Sequence, residues 1–298
     1  MLSLLVCKKL SSKELSCKEL ICKTLTSKEL TWISAQQSEP LVAIEPLLQA
    51  LTNAVFLLTL ANNKKLIFKR LNLSARDIGD RKREFKVDKL ATVAGLTPKA
   101  IACCRRYKLQ EYFSGKELSC LPINKELINL LALQLKKIHQ LPALHAQPQS
   151  LSLTLKQLKK RIKSAIDEAH FSVILKRAIV LDQGSAKNVL CHGDLSLHNL
   201  LINNRQQVMI LDWEYATLAC PAYDLASCMC INSLDSLQQE SLIAEYHHLH
   251  QTNISISLSA LRKECSLYLS VFSYLNALWE KCFLVNEISQ AEDKTSGA

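Results

Sequence analysis

The segment Cys191-His192-Gly193-Asp194-Leu195-Ser196-Leu197-His198-Asn199, followed by Val208-Met209-Ile210-Leu211-Asp212-Trp213-Glu214, spaces a base, an amide and a second acid as phosphoryl transfer requires. Apolar Leu200 to Ile202 and Val208 to Leu211 flank the polar turn Asn203-Asn204-Arg205-Gln206-Gln207, the pattern of a β-hairpin with a five-residue loop. Antiparallel strands bring Asn199, just before the first, and Asp212, just after the second, out at the same end. An amide oxygen and a carboxylate there can grip one Mg²⁺, which takes a few hard oxygen ligands beside waters and substrate phosphates. Asp194, five residues before Asn199 on the approach loop, is placed to accept the proton of an alcohol that attacks phosphorus. A purely structural account would have Asp194 cap a turn while Asn199 and Asp212 bound a hairpin. It gives no reason for these three polar types at this spacing.

Protein kinases carry H-R-D-x-x-x-x-N with a metal-binding Asp on a later strand end. Gly193 stands where they have Arg, and the later acid sits in Asp212-Trp213-Glu214. This His-Gly-Asp form resembles the aminoglycoside phosphotransferase and choline kinase superfamily, whose members phosphorylate small alcohols. Ile138-His139-Gln140-Leu141-Pro142 is similar to the helix-ending Leu-His-x-Leu-Pro of that family, and Pro221-Ala222-Tyr223-Asp224-Leu225-Ala226 to its segment after the metal-binding acid. Asp224 is expected to cap its helix and brace the catalytic loop. The resemblance implies an α+β fold of the protein-kinase-like, two-lobed type. A small N-terminal antiparallel sheet plus helix would face a larger, mainly helical C-terminal lobe carrying the catalytic hairpin, with ATP between them.

A small lobe of that kind needs a strand cation for the phosphates and a helix carboxylate to fix it. Ile67-Phe68-Lys69 and Arg83-Glu84 resemble the corresponding strand and helix, which makes Lys69 and Glu84 the candidates. Arg70 is adjacent, and a one-residue register shift would exchange the faces of the two cations. No glycine falls between Pro40 and Arg70, so no glycine-rich loop covers the phosphates. Gln49-Ala50-Leu51-Thr52-Asn53 instead resembles the Gly-Leu-Thr-Asn turn of choline kinase-like enzymes, implying that Thr52 and Asn53 stand near phosphate. Ala50 departs from that pattern. Gln110-Glu111-Tyr112-Phe113-Ser114-Gly115 resembles the inter-lobe hinge, where the backbone at Glu111 and Phe113 would pair with adenine.

Asp212-Trp213-Glu214-Tyr215-Ala216 is similar to the Asp-x-Glu-Tyr-Ala string of bacterial choline kinases and of thiamine kinases. Both act on a primary hydroxyl attached to a cation. Glu214 could neutralise that cation, and an aromatic face could hold a quaternary ammonium. Tyr268, Phe272, Leu275 and Trp279 form one helical stripe that also suits a core. Trp279 resembles the late Trp of the choline kinase-like proteins and is the candidate for the substrate pocket. The leading substrate is choline, ethanolamine or a similar amino alcohol, then thiamine, then an aminoglycoside. A nucleotide-binding pseudokinase acting as an interaction module is the reading of a different class.

The elements that must position these residues follow the same order. Val55 to Leu60 and Lys65 to Leu71 read as strands joined at Asn62-Asn63, Arg81 to Ala94 as a helix ended by Gly95, and Ala100 to Cys103 and Lys108 to Phe113 as two more strands. Asn124 to Gln140 reads as a strong amphipathic helix. Before them, residues 6 to 30 repeat with a period of five, ending Thr26-Ser27-Lys28-Glu29-Leu30. Leucines at that period spiral around a helix instead of lining one face, so residues 1–38 read as a low-complexity extension. Residues 39–115 would form the ATP-binding lobe and 116–298 the catalytic and substrate-binding lobe.

The net charge of +10 raises the question of polyanion binding. Lys156, Lys159, Lys160, Arg161 and Lys163 lie opposite an apolar stripe of Leu155, Leu158, Ile162 and Ile166, without interleaved aromatics, so a solvated helix face is expected and no nucleic acid. No apolar run is long enough to insert in a membrane. The apolar start is too short for a signal segment, and the twelve cysteines follow no metal or disulfide spacing, so a cytoplasmic protein with reduced thiols is expected. The sequence sets no oligomeric state.

Overall fold

The computed structural model describes residues 25–47, 53–71, 78–162, 165–184, 188–250 and 256–295. They fall into two compact units, one drawn from Leu2–Leu121 with Leu197–Tyr215, the other from Pro122–Ser196 with Ala216–Ala298.

The first unit is built on a five-stranded antiparallel sheet of β1 (Leu41–Leu47), β2 (Ala54–Leu60), β3 (Lys65–Arg70), β4 (Ala100–Cys103) and β5 (Tyr107–Glu111), in the order β1-β2-β3-β5-β4. The turn between β2 and β3 falls at Asn62-Asn63, where Asn63 takes a φ of 64° that Asn tolerates better than most residues. Alternation along the strands sends Phe56, Leu58, Leu60, Leu66, Phe68 and Leu109 to one face, where they are buried with Ile33.

Ile33 comes from helix α1 (Ser27–Ser34), which opens with a capping box between Thr26 and Glu29. The last repeat unit therefore lies on the sheet. Trp32 packs against Phe68 and Tyr107, with ring centroids 6.1 and 5.4 Å away. Glu29 accepts two hydrogen bonds from Arg70, at 2.5 Å from Nε and 2.8 Å from Nη2.

The other face carries helix α2 (Ile78–Val93) with Val87 and Ala91 buried. Gly95, at φ 71°, ends the run as a left-handed stop, with Leu96 N–H donating to Ala91 C=O at 2.9 Å. Strand β5 stops at Glu111, short of Phe113, although Tyr112 N–H still donates to Lys65 C=O at 3.2 Å. A second sheet in this unit holds β6 (Lys116–Glu117), β8 (Leu200–Ile202) and β9 (Val208–Ile210), in the order β6-β8-β9.

The second unit is mainly helical: α3 (Lys125–His139), α4 (Leu151–Arg161), α5 (Glu168–Gly184), α6 (Pro221–Ile231), α7 (Ser236–Leu249) and α8 (Leu258–Thr295). Asn124 caps α3 by accepting from Leu127 N–H at 3.0 Å, and Leu127, Ile128, Leu131, Leu135 and Ile138 make its buried stripe. Helix α4 buries Leu155 and Leu158 but ends at Arg161, because Ile162 is already extended. Along α8, Leu261, Cys265, Tyr268, Phe272 and Leu275 are buried at helical spacing. Each such side chain contributes roughly 1.5–3 kcal/mol of burial free energy. Strands β7 (Val189–Cys191) and β10 (Thr217–Ala219) pair antiparallel among these helices. Among the described residues, no helix is long and apolar enough to cross a membrane.

Candidate active site

In the second unit, β7 delivers the chain into His192-Gly193-Asp194, and α6 holds that loop by its backbone. The Asp224 carboxylate accepts from His192 N–H at 2.9 Å and from Gly193 N–H at 2.8 Å. Ser227 Oγ donates to Gly193 C=O at 2.9 Å, and Asn232 Nδ2 donates to Leu195 C=O at 3.0 Å. Gly193 adopts φ 76°, a left-handed conformation that any side chain would strain. Asp194 emerges next with 2% of its surface exposed, which restricts what can reach its carboxylate. Its own N–H donates to His192 Nδ1 at 3.3 Å.

Asp224 is itself braced. It lies in the first turn of α6, entered through Pro221, and 3.1 Å from His139 Nε2, while His139 Nδ1 lies 2.6 Å from the Tyr246 hydroxyl. Burial works against the Asp224 charge, but the His139 hydrogen bond, the charges of His139 and His192 and the Gly193 N–H together hold its pKa below the usual carboxylate value. His139, Cys191 and Asp224 bring three ligand-type atoms together, all buried. Those atoms already serve the brace: both His139 nitrogens are hydrogen-bonded, and the Cys191 thiol, pushed well up by burial and then by the Asp224 charge, donates to Cys220 C=O.

In the first unit, the hairpin of β8 and β9 pairs Leu200 with Ile210 and Ile202 with Val208. Its mouth is clamped where Leu211 N–H donates to Asn199 C=O at 2.7 Å, so Asn199 and Asp212 leave from the same end. Asn199 ends the short 3-10 turn Leu197–Asn199 and is buried. Asp212 takes φ 63°, an uncommon conformation that Asp accommodates and that turns the chain sharply after the strand. Trp213, fully buried, donates from Nε1 to Ile210 C=O at 3.3 Å and fixes the turn from behind.

Lys69 Nζ lies 3.1 Å from Asp212 Oδ1, and both side chains keep a little exposure, 11% and 24%, so a ligand can reach the pair. Arg70 points to the other face of the sheet, where it serves Glu29. On the Lys69 face, Glu84 accepts from Arg81 Nη1 at 2.9 Å and lies 3.7 Å from Lys108 Nζ. Arg81 Nη1 also reaches Glu214 Oε2 at 3.3 Å. Lys108 contacts Asp88 as well. Although burial opposes its charge, Asp88 and then Glu84 hold the Lys108 pKa above the ordinary value.

Of the remaining candidates, Asn53 is buried in the bend that precedes β2, and Thr52 lies outside the described residues. Glu111 closes β5, donates its N–H to Lys99 C=O at 2.9 Å and pairs with Lys64 at 2.9 Å. Phe113 is part-buried beyond the strand end. In the second unit, Trp279 is part-buried on α8 one turn after Leu275. Sequence reasoning had not singled out Arg81, Lys108, Ser227 or Asn232. Lys108 next to the apolar Leu109 carried no distinctive signal, whereas Ser227 stands one helical turn after Asp224.

A protein-family model described as the phosphotransferase enzyme family matches residues 43–258. A comparison with curated proteins finds no match. Among solved structures, the chain is similar to choline kinase LicA from Streptococcus pneumoniae, at 19% identity and a TM-score of 0.65 over 86% of this chain and 89% of that one. It is similar to a choline/ethanolamine kinase family protein from Mesorhizobium loti, at 19% identity and a TM-score of 0.64 over 83% and 81%. A streptomycin-ATP-APH(2")-IIa ternary complex matches at 16% identity and a TM-score of 0.61 over 86% and 90%. These likenesses establish the protein-kinase-like α+β fold.

Proposed function

Since the chain belongs to the phosphotransferase enzyme family, we propose that it transfers the γ-phosphoryl group of ATP to the hydroxyl of a small cationic alcohol, choline or ethanolamine in kind. The observation that carries this reading is the clamped hairpin mouth, which presents the Asn199 amide and the Asp212 carboxylate from one end, with Lys69 on Asp212. That donor set fits Mg²⁺, whose preferred ligands are hard oxygens. When bound, Mg²⁺ would neutralise charge developing on the transferred group. Asn199 and Asp212 would hold the ion, and Lys69 would meet phosphate oxygens. Thr52 and Asn53 serve the phosphates, Glu84 steadies the strand-and-helix arrangement around Lys69, and the backbone at Glu111 and Phe113 serves the adenine. Asp194 takes the hydroxyl proton, and the braced loop fixes where its carboxylate stands. Catalysis then rests on positioning and charge neutralisation, with no covalent intermediate on the protein.

Glu214 and Trp279 are the groups proposed for the substrate cation. Arg81 already lies against Glu214, but a carboxylate has lone pairs enough to serve two cations. The choline and choline/ethanolamine kinases among the structural neighbours support an amino alcohol as the acceptor, and the streptomycin-bound neighbour supports an aminoglycoside as the second reading.

ADP release by the purified chain, measured with choline, ethanolamine, thiamine and kanamycin, tests the reading. An amino alcohol should stimulate turnover, and Asp194→Asn should lower it by about 10²–10⁴-fold while ATP still binds. If ATP binds and no alcohol raises turnover above the Asp194→Asn level, the chain is a nucleotide-binding module and the enzymatic reading fails.

A further inference from the structure

Lys108 has no role in the scheme above, yet it is a lysine with 3% of its surface exposed, at the second position of β5. It stands directly opposite Lys69 in the β3–β5 register, so both side chains project from the same face of the sheet. Across from them, α2 presents Glu84 and Asp88 four residues apart, on one side of the helix. Two buried carboxylates so placed repel one another and need a cation close by. Lys108 supplies it, touching Asp88 and lying 3.7 Å from Glu84 Oε1. Arg81 covers the other side of Glu84, at 2.9 Å. With Asp88 occupied by Lys108, Lys69 reaches Asp212, at 3.1 Å.

We propose that Lys108 is a positioning residue: by neutralising Asp88 it keeps that carboxylate from drawing Lys69 away, and so leaves Lys69 beside Asp212 for the phosphates. The inference rests on the proposed use of ATP. Removing the Lys108 charge leaves Asp88 as an unpaired buried acid, and the next cation on that face of the sheet is Lys69. Its movement toward α2 would withdraw it from Asp212. Removing Asp88 together with Lys108 takes away one cation and one anion, leaves Glu84 with Arg81 and abolishes the pull.

The test compares the full chain with Lys108→Met and with Lys108→Met/Asp88→Leu. Calorimetric titration of MgATP should show about tenfold weaker binding for Lys108→Met and recovery to within about threefold of the parent for the double variant, since a buried pair removed together is tolerated far better than one partner alone. The KM for the alcohol should stay unchanged. Lys108→Gln carries the same expectation if Lys108→Met does not fold. Parent-like MgATP affinity in the single variant, or a double variant as weak as the single one, overturns the proposal.

A nucleotide-free readout separates this failure from failure of the kinase reading itself, which parent protein unable to bind MgATP would expose. Melting-temperature changes for Lys69→Met and Asp88→Asn should add in the parent and fail to add in the Lys108→Met background, where the two side chains would have become partners. Additivity in both backgrounds overturns the proposal, whatever the nucleotide result.

Discussion

Asp212 combines an uncommon backbone angle, φ 63°, with the carboxylate that Lys69 meets, so its identity is constrained twice. The two constraints can be separated. Asn tolerates the left-handed region nearly as well as Asp, whereas Ala does not. Asp212→Asn should therefore retain parent stability in urea while losing turnover by about 10²–10³-fold and requiring more Mg²⁺, because a charge aimed at the developing phosphoryl charge is gone. Asp212→Ala should lose both, with about 1–2 kcal/mol of destabilisation from the backbone alone. Equal stability of the two variants would remove the strain argument. The pattern His192-Gly193-Asp194 with Asn199 and Asp212 was readable because its geometry is local: one hairpin fixes which residues leave together. Lys108 beside Glu84 and Arg81 beside Glu214 were not. Arg81 and Glu214 lie 133 positions apart in sequence, and no periodicity within a single element relates them.

At the scale of elements, helical and strand periods located most of the first sheet, α2 and α3, since each buries one face against a core. Strand β1 escaped notice because it is an edge strand with Val42 62% exposed, and its residues show no clean alternation of apolar and polar. Helix α1 was hidden differently. The five-residue repeat dominates the reading of residues 6–30, yet although Glu29 of its last unit pairs with Arg70, the apolar side chains that dock the helix, Trp32 and Ile33, lie beyond it. The Ile33 side chain is fully buried among Phe56, Leu58 and Phe68. Ile33→Ala should cost about 2–5 kcal/mol, as deletion of a buried branched side chain does, read from the urea midpoint. Truncation through Ser34 should destabilise more than truncation through Thr24. If both truncations melt at the parent temperature, α1 contributes nothing to the sheet.

Over the whole molecule, a net charge of +10 makes acid an adversary: protonating carboxylates adds to a positive charge already in excess, and self-repulsion grows. Two groups in the second unit sharpen the response. His250 follows α7, buried against the Tyr246 ring at 4.4 Å, and burial, with the charges of His139 and Lys136, pushes its pKa down to about 4. A histidine depressed from an ordinary value of 6.5 binds its proton better when unfolded. It thus withdraws stability as pH falls from about 6.5 toward 4. Asp224 acts lower. Its folded pKa lies below the ordinary 3.8, so its contribution is complete above that value and disappears as pH drops further. The two effects make separate segments of one acid limb. His250→Phe, which keeps a ring and removes the titration, should flatten the urea midpoint between pH 6.5 and 4 and leave the steeper fall beneath it. Asp224→Asn should flatten that lower fall and lower the plateau at neutral pH, because the His192 and Gly193 N–H groups lose a charged acceptor. An unchanged upper segment in His250→Phe would assign the early acid loss to the general charge of the protein instead of to this buried ring.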